Sequence, residues 1–288
     1  MFIRYRELLY AALAGSLAAG LPVWAETAAI RVIARDTQST TGTASAPVRT
    51  IEIHDVRARN ARTRLRVETV ADPLAVAVLF AGGKGAMQLS QDGAIGWGRG
   101  NFLIRARPLF SRNGIITAII DAPSDHPRDL DNGFRSSPEH AADIGAVIGH
   151  LRQTYQVPVW LVGTSRGTIS VANAAARTGG RKPDGIVLTA SVLVANRRGG
   201  QLFDFDLGAI ALPVLIAHHR GDRCRVTPPD RIAALTAALK RARPLKTLLY
   251  EGGIATGNPC KARHYHGFNG IEDQVIADIA AWIKAPTP

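Results

Sequence analysis

Ser165 lies in the segment Gly-Thr-Ser-Arg-Gly at residues 163–167, which has the pattern Gly-x-Ser-x-Gly. An apolar run at residues 159–162 precedes this segment, and an alanine-rich stretch follows it. On a sharp turn between a buried strand and a helix, a serine hydroxyl projects above the carboxyl end of the sheet, and the flanking glycines let the backbone pass close to its neighbours. The pattern predicts a serine nucleophile for acyl transfer. The alternative is an ordinary turn with a hydroxyl at its tip.

Apolar runs alternate with helical patterns along most of the chain. Ser137 and Pro138 predict the start of a helix whose apolar face extends to Leu151, and a second amphipathic helix is predicted from Ile271 to Ile283. Residues 102–112 are left open, because Pro108 either kinks a helix there or begins a short one. We predict a half-buried edge strand at residues 65–70 and buried strands at residues 75–80, 115–120, 159–162, 186–189, 214–218 and 245–250. This alternation predicts an α/β fold with a mostly parallel central sheet flanked by helices.

The first 25 residues have the character of an export signal. Arg4 and Arg6 precede an apolar run at residues 8–21, and the segment Val-Trp-Ala at residues 23–25 has the small-residue spacing of a signal-peptidase site. The run is shorter than the roughly 18 residues that span a bilayer, although an uncleaved anchor is the alternative. We predict a signal peptide at residues 1–25, a polar leader at 26–50, with structure starting near Ile51, and one catalytic domain at 51–288.

The composition is that of a globular protein with a basic surface. Of 288 residues 46% are apolar and 20% are charged, which excludes disordered and disulfide-scaffold classes. The formal net charge is +12, but the arginines are scattered along the sequence and no nucleic-acid-binding motif accompanies them. We therefore expect no nucleic-acid partner and no stable membrane insertion. Export to the periplasm or medium would expose the two cysteines, Cys224 and Cys260, to oxidation, so we predict a disulfide.

From about residue 50 onward the sequence resembles the α/β-hydrolase superfamily, in which the nucleophile, acid and histidine follow each other in that order. The pair Gly221-Asp222 is similar to the family's acid turn. His266, in a His-Gly-Phe segment, is similar to the histidine of dienelactone-hydrolase-like esterases. The resemblance implies that His266 activates Ser165 and that Asp222 orients His266. His264 is the alternative base because it lies on the same loop.

The resemblance also implies an oxyanion hole made of two backbone N–H groups. One belongs to the residue after the nucleophile, Arg166, and the other to the loop after an early central strand, where we expect Gly83, with Lys84 next. Ala81 occupies a position where many relatives carry histidine. A glycine turn without a catalytic role is the alternative.

The predicted disulfide would connect the acid loop to the histidine loop. Cys224 follows Asp222 by two residues and Cys260 precedes His266 by six. We therefore hypothesise that the disulfide fixes the geometry of the acid and the base.

Other functions use the same residues. Six residues have the right types for a zinc site, but their spacings match no standard zinc motif, so we expect neither a metal nor another cofactor. They are His218, His219, Asp222, Cys224, His264 and His266. A carboxylate-bearing substrate could contact Arg128, Arg135 or Arg166 near the cleft. The favoured function is hydrolysis of small carboxylic esters in a cleft without a large cap domain, since only residues 190–212 separate two later strands. A peptidase or amide hydrolase and a non-catalytic binding protein are the alternatives.

Overall fold

The computed structural model describes residues 29–36, 49–177, 180–195 and 199–288. The predicted signal peptide, residues 1–25, lies outside the described residues, and so do residues 37–48 of the predicted leader.

The described part of the chain contains a sheet of nine strands. Their order is β1-β2-β3-β5-β4-β6-β7-β8-β9, and the pairs from β5 to β9 are parallel whereas β1, β2 and β3 pair antiparallel. The strands β4 to β8 are buried along their whole length, as expected for parallel strands covered on both faces. The bounds are β1 (Ala29–Asp36), β2 (Arg49–Ala58), β3 (Ala61–Glu68), β4 (Ala75–Phe80), β5 (Ile115–Ile120), β6 (Val159–Thr164), β7 (Gly185–Thr189), β8 (Val214–His219) and β9 (Leu245–Tyr250).

Helices cover both faces of this sheet. One apolar cluster lies under α3 and α4, and another lies under α1 and α6 on the opposite face. The side chain of Ser137 caps α3 by accepting from His140 N, as predicted. Residues 102–112 form one helix that contains Pro108. The bounds are α1 (Phe102–Arg112), α2 (Asn132–Arg135), α3 (Pro138–Tyr155), α4 (Gly167–Ala176), α5 (Ile232–Ala238) and α6 (Glu272–Lys284).

The amino-terminal strands differ from the sequence-based expectation. The strand β1 lies within the segment predicted as a leader, so regular structure begins before Ile51. Ile30 and Val32 are 47% and 55% exposed, so these two apolar side chains contribute little burial, and the strand is held by its backbone pairing with β2. The predicted edge strand at residues 65–70 corresponds to β3, which is not at an edge because β2 and β5 flank it.

Between β7 and β8 the described residues, 190–195 and 199–213, contain two single-turn 3₁₀ helices, Leu202–Asp204 and Leu207–Ala209. These residues therefore form no large cap over the carboxyl end of β6. No helix among the described residues is both long and apolar enough to cross a membrane.

Glu68 at the end of β3 connects the sheet to α1. Its buried carboxylate accepts from Arg66 Nη2 at 3.1 Å and from Arg107 Nε at 2.6 Å. Burial alone would raise the pKa of Glu68, but the two guanidinium groups hold it below its ordinary value. The ionised carboxylate therefore stabilises the fold at neutral pH.

We expect Glu68→Gln to lower the free energy of unfolding by about 3 kcal/mol, because it leaves two guanidinium groups without their shared counter-ion. Wild-type protein should lose this stabilisation as the pH falls through the lowered pKa of Glu68, whereas the variant should not. Urea denaturation measures both effects. The control is Asp273→Asn, which breaks the exposed pair of Arg112 and Asp273 and should change stability by less than about 0.5 kcal/mol. Equal losses in the two variants would contradict the interpretation.

Candidate active site

Ser165 lies at the turn between β6 and α4, at the carboxyl edge of the sheet. Its φ of 51° is in the left-handed region, which a residue with a side chain rarely adopts, and its N–H donates to Thr189 O at 3.1 Å. A Cβ atom on Gly167 would lie 2.1 Å from Phe80 O, and one on Gly163 would lie 2.8 Å from Gly167 O. Glycine is therefore required on both sides of Ser165 for the turn to pack against β4.

Asp222 and His266 form a hydrogen-bonded pair near this turn. Asp222 follows β8 and His266 follows β9, and His266 Nδ1 lies 2.9 Å from Asp222 Oδ2. Thr227 Oγ1 donates to the same carboxylate oxygen at 2.8 Å, and Cys224 N donates to Oδ1 at 2.9 Å. Burial would raise the pKa of Asp222, but the hydrogen bond from His266, the charge of His266 and the N–H of Cys224 hold it below its ordinary value. The carboxylate is therefore ionised and fixes the imidazole ring.

The other histidines of this region have different surroundings. His264 makes no side-chain hydrogen bond through Nδ1 to a described residue, and the structure places His266 and not His264 against Asp222. His218 is fully buried, which lowers its pKa to about 4, and its neutral ring donates from Nε2 to Thr227 O at 3.1 Å. Cys224 is bonded to Cys260, so its sulfur is not available to a metal.

A cavity of about 60 Å³ brings Ser165 and His266 together. No hydrogen bond between their side chains is present among the described residues, which is common in unliganded hydrolases, where this contact tightens when substrate binds. The arrangement presents a hydroxyl and a carboxylate-oriented imidazole to one small space. The cavity is lined by Gly82, Gly83, Asn101, Phe102, Thr164, Ser165, Cys260, Ala262, His266 and Gly267.

The loop after β4 lies directly beside the serine. A Cβ atom on Gly82 would be 2.8 Å from the Cβ of Ser165, and Gly83 has a φ of 61°. Gly82 and Gly83 line the cavity, whereas Lys84 is exposed and is not among the lining residues. Of the two donors expected on this loop, the structure therefore places Gly83 but not Lys84 at the cavity.

The side chain of Arg166 binds this loop from beneath. Arg166 Nη1 donates to Gly83 O at 2.7 Å, Nη2 to Leu130 O at 2.8 Å and Nε to Asn132 Oδ1 at 2.7 Å. The guanidinium group is buried, does not line the cavity and also lies 3.5 Å from Asp129 Oδ1, so the side chain is structural while its backbone N–H lies at the start of α4.

Arg135 also points into the protein. It is 1% exposed and donates to Leu130 O at 2.9 Å and to Ser170 Oγ at 3.0 Å. Burial, followed by the charge of Arg166, lowers its pKa to about 9. Arg135 and Arg166 do not fit the hypothesis of contact with a substrate carboxylate, because both guanidinium groups are buried and donate inside the fold. Arg128 is exposed and does not line the cavity, and the hypothesis for this residue stays a prediction.

The predicted disulfide between Cys224 and Cys260 is present. Cys224 is buried beside Asp222, whereas Cys260 is exposed and lines the cavity. The bond therefore connects the segment that holds the carboxylate to the wall of the cavity.

Comparison with solved structures identifies the fold. An esterase from Pyrococcus furiosus superposes with a TM-score of 0.56 at 8% identity, over 81% of this chain and 91% of that chain. A dienelactone hydrolase from Anabaena variabilis gives 0.54 at 13% identity, over 82% of this chain and 95% of the other. This chain has the α/β-hydrolase fold. A putative dipeptidyl aminopeptidase IV from Bacteroides ovatus gives 0.58 at 16% identity, but this chain spans only 36% of it. No family profile and no curated protein matches the sequence.

Two residues at this site of the α/β-hydrolase fold were not predicted from the sequence. Thr227 contacts both members of the acid–histidine pair, with its Oγ1 3.2 Å from His266 Nδ1. Gly82 packs most closely on Ser165. The double glycine after β4 was a usable signal for Gly82, whereas the sequence around Thr227 contains no pattern that indicates its contact with Asp222.

We expect Arg166→Lys to lower kcat about 100-fold for the ester hydrolysis that the sequence predicts, because a lysine cannot donate to all three acceptors and the loop carrying Gly83 loses its position. KM should change little. Steady-state kinetics measure the effect, and thermal melting verifies that the variant is folded. The matched control is Arg177→Lys at the end of α4, where the guanidinium also binds a carbonyl, Ser136 O at 2.8 Å, away from the cavity. A wild-type kcat in Arg166→Lys, or an equal loss in Arg177→Lys, would contradict this role.

We expect reduction of the disulfide to affect activity more than thermal stability. Activity should fall even well below the melting temperature of the reduced protein, because the bond lies between the carboxylate loop and the cavity wall. Hydrolysis is measured at about 15 °C with and without dithiothreitol, where reduced protein is still folded. The variant Cys224→Ala with Cys260→Ala should show the same lowered activity with no response to dithiothreitol. Unchanged activity of the reduced enzyme would refute the hypothesis.

Proposed function

We propose that the protein is a serine hydrolase that cleaves carboxylic esters through an acyl-enzyme on Ser165. The observation that carries the proposal is the hydrogen-bonded pair of Asp222 and His266, which shares a cavity with Ser165. The left-handed turn at Ser165 and the glycines beside it support the same assignment.

In the first half of the reaction, Ser165 Oγ attacks the ester carbonyl while His266 Nε2 takes the hydroxyl proton. The backbone N–H groups of Arg166 and Gly83 are the donors for the tetrahedral oxyanion, and the Arg166 side chain holds the two segments together. Lys84 is the less favoured second donor, since it does not line the cavity. His266 then protonates the leaving alcohol.

In the second half, water attacks the acyl-enzyme and His266 acts again as base and then acid. Asp222 remains ionised throughout and stabilises the imidazolium. Thr227 limits the movement of the carboxylate, because its hydroxyl donates to the same oxygen that binds His266. These steps need no metal or organic cofactor.

The cavity volume favours small acyl groups, because about 60 Å³ accommodates only a few non-hydrogen atoms. We propose an exported enzyme, since the disulfide persists in oxidising compartments. Structural similarity to a putative dipeptidyl aminopeptidase keeps amide hydrolysis as the second candidate, with the same three residues in the same roles.

We expect a fluorophosphonate probe to form an adduct on Ser165, which mass spectrometry of the digested protein locates. Ser165→Ala should show no adduct and lose at least about 10⁴-fold in kcat for p-nitrophenyl acetate. Asp222→Asn should lose a comparable factor with little change in KM, because it disturbs the imidazole tautomer. Failure of the wild-type protein to react with the probe would contradict the proposal.

A panel of p-nitrophenyl esters of increasing acyl length, measured beside aminoacyl p-nitroanilides, distinguishes the two candidates. We expect kcat/KM to be highest for acetyl and propionyl esters. Faster cleavage of the anilides would favour the peptidase.

A further inference from the structure

Four cations surround the disulfide at the mouth of the cavity. Arg223 and Arg225 flank Cys224, and Lys261 and Arg263 follow Cys260; we refer to these four residues as the cystine rim. All four are exposed. The Cα atoms of the two cysteines are 4.6 Å apart, so the Cα atoms of Arg223, Arg225 and Lys261 lie within about 12 Å of each other. The scattered arginines of the sequence thus become a cluster in the fold.

The cystine rim lies at the proposed site. Cys260 and Ala262, which alternate with Lys261 and Arg263, line the cavity that contains Ser165. A substrate group that contacts Cys260 or Ala262 therefore lies beside Lys261 and Arg263.

None of the four cations forms an ion pair with a described residue. Three acids of the neighbouring segments are already paired, and Asp230, five residues after Arg225, is exposed and forms no ion pair with a described residue. Glu251 pairs with Arg220 at 3.1 Å, Glu272 with Arg105 at 2.7 Å, and Asp222 with His266. Burial lowers the pKa of Arg105, its partner Glu272 raises it, and the charge of Arg263 lowers it again, which indicates that Arg263 lies near Arg105.

Clustered like charges without counter-ions repel each other, and a cleft of one sign attracts ligands of the opposite sign. We propose that the cystine rim binds a carboxylate on the alcohol portion of the ester, outside the cavity that receives the acyl group. This inference rests on the proposed esterase function and assigns its substrate class: short acyl esters of carboxylate-bearing alcohols or phenols.

The test compares 4-acetoxybenzoate with its neutral methyl ester. Both transfer the same acetyl group to Ser165, so the ratio of their kcat/KM values reports only on binding and acylation of the two alcohol portions. We expect Lys261→Gln with Arg263→Gln to lower the ratio of anionic to neutral substrate at least about five-fold, and Arg223→Gln with Arg225→Gln to lower it similarly. Raising NaCl from about 50 to about 500 mM should lower the ratio in wild-type enzyme and have a smaller effect in the variants.

The matched control is Lys240→Gln with Arg241→Gln, which removes the same charge from exposed positions before β9, at the opposite edge of the sheet. Its ratio should equal that of the wild type. An unchanged ratio in both rim variants, or an equal decrease in the control, would overturn the inference while leaving the esterase function intact. If the wild-type enzyme hydrolyses neither ester, the proposed function and this inference both fail.

Discussion

The site depends on the hydrogen bonds that the guanidinium group of Arg166 donates. This group joins the turn at Ser165 to the loop after β4 and to the segment before α2, through hydrogen bonds to Gly83, Leu130 and Asn132. These segments are far apart in the sequence, and the Arg166 side chain adds to the contacts that already join them, which are the pairing of β4 with β6 and the hydrogen bond from Leu130 N to Lys84 O at 2.8 Å. Burying a guanidinium group costs free energy unless its N–H groups are hydrogen-bonded. A displacement of the loop would break these bonds, and this cost keeps the loop in place.

A second set of contacts independently fixes Asp222 and His266, which we propose as acid and base. Asp222 accepts from His266, Thr227 and the backbone of Cys224, which leaves the carboxylate no freedom to rotate. The disulfide extends this set to the cavity wall, because Cys224 is buried beside the carboxylate and Cys260 is at the surface. Ser165 and His266 therefore belong to two separately held halves of the site, which face each other across the carboxyl edge of the sheet.

The sequence predicted the parts of the fold in which burial or local chemistry leaves a pattern. The parallel strands, the helix capped by Ser137 and the disulfide are confirmed, because continuous apolar runs, capping residues and paired cysteines reflect local requirements. It did not predict β1, in which Ile30 and Val32 are exposed, or the interior position of β3. The inward direction of Arg166 and the contact of Thr227 with Asp222 depend on tertiary packing, which no local spacing reports.

The turn at Ser165 is surrounded by closely packed backbone. Gly82, Gly163 and Gly167 each leave no room for a Cβ atom, and the atoms that such a group would meet are mostly backbone atoms. Substitutions at these positions therefore cannot reshape the site gradually, since each one would displace the main chain. The walls have no such restriction, because the segment at residues 251–263 is largely exposed. In this chain, substitutions in the exposed segment can therefore change the walls of the cavity without displacing the turn at Ser165.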